Sequence, residues 1–185
     1  MDHKHYIGEG PEAQALIDEC HARRQAADDA VRNFQERHGF QNGWRRSAEF
    51  CGPATEREMD TTEARTRGLK FHCRIDEDTY AYKPHLGTAL GKQMDKEIKE
   101  INKAHAFDAS KHIIKATGMH RMIAGAHAGS RTGRALYFST AGFAQGKIVV
   151  KVPTGIGRED QDPMPVPPPW LREAKESEVL ALYGK

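Results

Sequence analysis

Eight cationic side chains fall in a stretch that contains no acid. Between Asp108 and Glu159 the chain carries Lys111, Lys115, Arg121, Arg131, Arg134, Lys147, Lys151 and Arg158, with His112, His120 and His127. The segment 109–158 therefore holds +8, and a net charge of +2 for all 185 residues leaves −6 for the rest. A buried strand has no reason to prefer one sign of charge. The imbalance is read as an anionic partner, ahead of a solvated basic face or pairing with the acidic N-terminal helix. The same stretch holds Gly125, Gly129, Gly133, Gly142 and Gly146, with Tyr137, Phe138 and Phe143. Backbone amides beside glycine and neighbouring Arg or Lys suit phosphate oxygens, and aromatic faces suit bases. Arg131 and Arg134 flank Thr132-Gly133, a loop position from which guanidinium groups can fork onto phosphate. Tyr137 is placed to stack. The candidate ligand-binding set is Arg121, Arg131, Arg134, Tyr137, Lys147 and Lys151.

Other motifs are weaker. Gly87-Thr-Ala-Leu-Gly91-Lys92-Gln93 resembles a fragment of a phosphate-binding loop, but it is one residue short and Gln93 stands where Ser or Thr would hold magnesium. The ten histidines and three cysteines show no Cys-x-x-Cys or His-x-x-x-His spacing, so no metal ligand is assigned and no cofactor is expected. Arg74, then Ser139-Thr140-Ala141, then Glu176-Ser177-Glu178 follow the order of functional residues in ADP-ribosyltransferases. In that resemblance Arg74 would bind pyrophosphate, Ser139 would orient a carboxylate, and Glu178 would stabilise an oxocarbenium-like centre. Ala141 departs from the pattern, and the Glu pair falls in a helical stretch. No catalytic residue is named.

Several elements must position these residues. Pro11, acidic Glu12 and Gly39 bound a helix over 11–38. Leu16, Cys20, Ala27, Val31 and Phe34 recur on one of its faces. Residues 44–69 show no period and read as an exposed loop or insertion with one short helix. Residues 70–83 read as a hairpin through Asp76-Glu77-Asp78. A helix at about 91–106 follows, then one capped by Asp108 and closed by Gly118. Residues 134–140 and 147–152 read as a second hairpin, with Gly142 and Gly146 in the connection. The expected fold class is α+β: a small antiparallel sheet of two hairpins packed by helices, with a proline-rich C-terminal arm. Residues 1–162 form the single domain of that reading. Residues 163–185 form the arm, polyproline-like at first, then a short helix from Trp170 to about Leu182.

Composition narrows the class. The longest aliphatic run is Ile148-Val149-Val150, far short of a membrane span. Met-Asp-His-Lys-His-Tyr is too polar for a secretory signal. Three cysteines, odd in number and far apart, fit a reducing compartment. A cytoplasmic protein without membrane contact is expected.

The tail Pro163-Met-Pro-Val-Pro-Pro-Pro-Trp170-Leu-Arg-Glu-Ala-Lys-Glu-Ser-Glu-Val-Leu-Ala181 resembles the ends of small uncharacterised proteins encoded by temperate phages and prophages. That resemblance implies an accessory protein of the host cytoplasm that counters a host defence. The arm would clasp its own domain, a second copy in a homo-oligomer, or a partner. The leading reading is a non-enzymatic binder of nucleic acid or a phosphorylated nucleotide through segment 109–158. An inhibitor of a host protein complex is the alternative, and an ADP-ribosyltransferase-like enzyme the further one.

Overall fold

The computed structural model describes residues 2–46, 48–125, 135–154 and 164–184. The elements in chain order are β1 (Asp2–Gly8), α1 (Pro11–His38), β2 (Asn42–Arg46), β3 (Glu49–Thr55), α2 (Thr61–Thr66), β4 (Leu69–Arg74), β5 (Tyr80–Pro84), α3 (Ala89–His105), α4 (Ala109–Thr117), β6 (Met122–Gly125), β7 (Ala135–Phe138), β8 (Thr140–Ala144), β9 (Lys147–Thr154), β10 (Leu171–Ala174) and α5 (Glu176–Leu182). The class is α+β, with two four-stranded antiparallel sheets and helices. Where the sequence reads as one domain over 1–162, backbone contacts group the chain into two compact units. One is 1–21 with 108–185, the other 22–107.

In the first unit the strand order is β10-β1-β9-β8, all antiparallel. Tyr6, Ile148, Val150 and Val152 are buried on one face. The His21 ring of α1 meets Phe143 of β8 there at 5.0 Å. On the other face Ile7 and Val149 pack with Val179 of α5, beside Ala174 and Leu182. A strand covered on both sides cannot alternate apolar with polar residues, hence the unbroken Ile148-Val149-Val150. β8 and β9 are joined by Gln145 and Gly146, both at positive φ (49° and 71°), the backbone a two-residue hairpin demands.

Two expectations change in this unit, and one element is added to them. The β9 hairpin partner is Thr140–Ala144, with Gly142 inside the strand, because β7 pairs instead with β6. The polar N-terminus forms a central strand, held by β9 and β10 on its two edges. The tail helix begins at Glu176, since Leu171–Ala174 add a strand to β1. Glu9 N–H donates to the Trp170 carbonyl at 3.4 Å. A Cβ on Gly8 would lie 2.7 Å from the Trp170 ring, so that ring seats where glycine leaves room.

In the second unit the strand order is β2-β3-β5-β4. Val31 and Phe34 of α1, Phe50, Met59, Leu69, Tyr82, Met94 and Ile98 belong to its core, and Tyr80 and Ile101 pack against it. The Asn102 side chain donates to the Phe50 carbonyl at 2.7 Å and accepts its N–H at 2.9 Å, anchoring α3 to β3. Met59 N–H donates to the buried Tyr82 hydroxyl at 2.7 Å. The hairpin, the Asp60- and Thr88-capped helices and the left-handed Gly39 close this unit as local rules require. Within 44–69, read as a loop or insertion with one short helix, α2 is a short helix, while β2 and β3 are strands where a loop was expected. A register shift beside Trp44, and Gly52-Pro53 in β3, break the period-two pattern that would have shown these strands. Among the described residues no helix is long and apolar enough to cross a membrane.

Candidate functional site

The basic segment does build a concave site, at the junction of α4 and β8. Asp108 accepts Lys111 N–H at 3.1 Å and starts α4, and Gly118 at φ 69° ends it. Ile113, Ile114 and Thr117 turn inward. The Ser110 hydroxyl accepts the N–H of Ala141 at 2.8 Å, which fastens the helix to edge strand β8. Beyond the helix, Arg121 and Ser139 lock two chain segments together. Arg121 N–H donates to the Ser139 hydroxyl at 3.1 Å, and Ser139 N–H donates to the Arg121 carbonyl at 3.1 Å.

These elements enclose a cavity of about 760 Å³. Its described lining includes Lys111, Lys115, His120, Ser110, Ser139 and Thr140, with Ile114 as an apolar wall. Lys111 and Lys115 stand one helical turn apart and so share a face. Asp108, the acid among the described lining residues, is engaged as the helix cap and pairs loosely with Lys111 at 3.4 Å. The electrostatic balance at the opening is positive. The size suits a nucleotide-scale ligand.

The candidate residues divide sharply. Arg121 is buried, joined through its own backbone to lining residue Ser139, and its guanidinium meets the Met164 sulfur. Lys151 is the register partner of the lining residue Thr140 and is not itself among the described lining. Among the described residues Lys115, Arg121 and Lys151 form no ion pair. Lys147 lies at the other end of β9, paired with Glu9 at 2.7 Å. Tyr137 belongs to β7, opposite Ile123. Arg131 and Arg134 lie outside the described residues. The lining residues Lys111, Lys115 and His120 were not in the candidate set. The i, i+4 lysines flanking Ile114 on a capped helix were the signal for them.

The remaining motifs have structural roles. A Cβ on Gly91 would lie 2.2 Å from the His85 carbonyl oxygen, so that glycine permits a close backbone approach. Arg74, in the second unit, donates to the carbonyls of Asp76 and Glu77 in its own hairpin turn. Glu178, in the first unit, accepts the Lys175 N–H at 2.9 Å and pairs with Arg172 at 3.2 Å. That backbone hydrogen bond, with Arg172 beside it, holds its carboxyl below the ordinary range. A second hollow of about 440 Å³ lies by Gly39, Phe40 and Thr55. Its arginines are committed: Arg57 forks onto Glu63 at 2.6 and 2.8 Å, and Arg67 covers the Phe40 ring at 4.5 Å.

Residues 4–185 match the model of a family of unknown function, DUF5420. The chain belongs to that family. No curated protein and no solved structure matches it.

Proposed function

We propose that this DUF5420 member is a binding protein that holds a small phosphorylated ligand, of nucleotide size, in the α4–β8 cavity. One observation carries the reading: a cavity of about 760 Å³ opens within the acid-free segment, with Lys111, Lys115 and His120 on its walls. Arg121 and Lys151 stand beside the lining residues Ser139 and Thr140 through backbone pairing and add positive charge to that neighbourhood. Ser110 and Ser139 hydroxyls accept backbone N–H groups and retain their own O–H for a phosphate oxygen. The phage-accessory setting rests on the resemblance of residues 163–181 and makes a nucleotide of the infected cell the class to try first.

The test is a thermal-shift and calorimetric panel of nucleoside mono-, di- and triphosphates, dinucleotides and inorganic pyrophosphate. We expect micromolar binding that weakens with added salt. Lys111→Ala with Lys115→Ala should reduce the affinity at least tenfold, as loss of two phosphate contacts implies. If no phosphorylated compound binds the parent at low salt, the reading fails and a protein partner becomes the reading to test.

A further inference from the structure

A second feature lies in the other unit and does not depend on the cavity. The helix-bearing face of sheet β2-β3-β5-β4 packs on Leu69, Tyr82, Met94 and Ile98. Its opposite face carries an aromatic pair among cations. Trp44 of β2 and His72 of β4 meet with ring centroids 4.6 Å apart at 37°. They come from the outermost strands, with the two central strands between them, and Trp44 is opposite Gly52 of β3. A position without a side chain, close enough to β5 that an added Cβ would lie 2.4 Å from the Tyr82 carbonyl oxygen, lets the two rings converge over the middle of the sheet.

Cations surround the rings. Lys83 Nζ lies 5.4 Å from the centre of the Trp44 ring, and Lys70 is its register partner on β4. Arg46 follows Trp44 by two residues, on the same face of β2. Burial, then Lys83, Lys70 and Arg46, pushes the His72 imidazole below its ordinary pKa. Glu49 is opposite Arg46 at the end of the β2–β3 hairpin. Among the described residues Arg46, Lys70 and Lys83 form no ion pair. From β2 to β4 the positive charges span about 14 Å, three strand spacings.

We infer that this face binds single-stranded nucleic acid, with Trp44 and His72 as base-stacking rings and Lys70, Lys83 and Arg46 on the phosphates. A four-stranded antiparallel sheet with aromatic side chains is a recurrent platform for unpaired bases. Charge complementarity selects a polyanion, and a half-buried Trp44 with an exposed His72 at the sheet surface selects unpaired bases over a duplex, whose bases are already stacked.

The experiment is fluorescence anisotropy of a labelled twelve-nucleotide oligo-dT, oligo-U and a duplex, at 50 and 200 mM salt, with circular dichroism to check folding. Single strands should bind at least tenfold more tightly than the duplex. Lys70→Ala with Lys83→Ala should weaken single-strand binding at least tenfold and flatten the log–log salt slope by about 1.4, two contacts' worth. Trp44→Leu should cost about tenfold, as loss of one stacked base does. Should that variant unfold, Lys70→Ala alone, at an exposed position, should flatten the slope by about 0.7. Lys111→Ala with Lys115→Ala should bind oligonucleotide like the parent, which separates this face from the cavity. Equal affinity for duplex and single strand, or undiminished binding by the Lys70/Lys83 variant, would overturn the inference.

Discussion

The two sheets have the same strand number and the same antiparallel pairing, yet they are finished differently. The first is apolar on both faces at its centre, with Tyr6, Ile148 and Val150 on one side and Ile7, Val149 and Val179 on the other. The second buries Leu69 and Tyr82 on one face and carries Trp44, His72, Lys70 and Lys83 on the other. In the first unit the proposed site is a cavity at a sheet edge, where α4 meets β8. In the second the inferred site is the sheet surface itself. A face free of core packing is free to carry chemistry, and a face that must exclude water is not.

The sharpest way to break the comparison is to remove the tail. Deleting residues 164–185 takes away β10 and α5 and uncovers Ile7 and Val149. Loss of Leu171 and Val179 alone is worth about 5 kcal/mol. We expect the Tm to fall by about 10–20 °C, with β1 amides losing protection from hydrogen exchange and β3 and β5 amides keeping theirs. An unchanged Tm with a changed mass in solution would make the tail a contact between copies. Next in size is Gly91→Ala, whose methyl would press on backbone oxygens of His85 and Gly68 at 2.2 and 2.7 Å. Backbone yields little, so a cost of about 3 kcal/mol or more is expected, seen as a drop of roughly 10 °C. Here exchange should quicken in β4, β5 and α3.

Tyr82→Phe removes the acceptor of Met59 N–H in a fully buried setting. A loss of about 1–3 kcal/mol is expected, measured by chemical denaturation with an unchanged m-value. The smallest effect is electrostatic. Burial raises the Glu97 carboxyl, but hydrogen bonds from His38 and Gln93 and the charge of Arg37 outweigh it and leave its pKa below the ordinary value of 4.5. Its contribution is full above that value and is lost as pH falls through the lowered folded-state value. Glu97→Gln should therefore flatten that part of the acid limb of a Tm-against-pH curve and shift Tm by no more than a few degrees at pH 7. An unaltered acid limb would remove Glu97 from the account.

Much of the helix content was legible because its signals are local. Pro11 and Gly39, Asp108 and Gly118, and the Asp76–Asp78 turn each act within a few residues and each falls at an element boundary or turn. The missed strands depend on distant partners. Asp2–Gly8 is polar and becomes a strand because β9 and β10 flank it, and β3 hides its pattern behind Gly52-Pro53 and a register shift. The site was legible as charge and illegible as shape. The missing acids marked 109–158, while the choice of Lys111, Lys115 and His120 over Lys147 follows from α4 meeting β8 and from Glu9 reaching Lys147. No local pattern encodes that choice.

The most direct test of the proposed division of labour is an amide ¹H–¹⁵N spectrum recorded during titration with a nucleoside triphosphate, then separately with oligo-dT. The nucleotide should shift amides of residues 110–120 and 139–141 in a saturable way, and the same shifts should be lost in the Lys111/Lys115 double variant. Oligo-dT should shift residues 44–46, 70–73 and 81–83. Nucleotide shifts confined to strands β2, β4 and β5, or no saturable shift at millimolar nucleotide, would contradict the assignment of the α4–β8 cavity as the anion site.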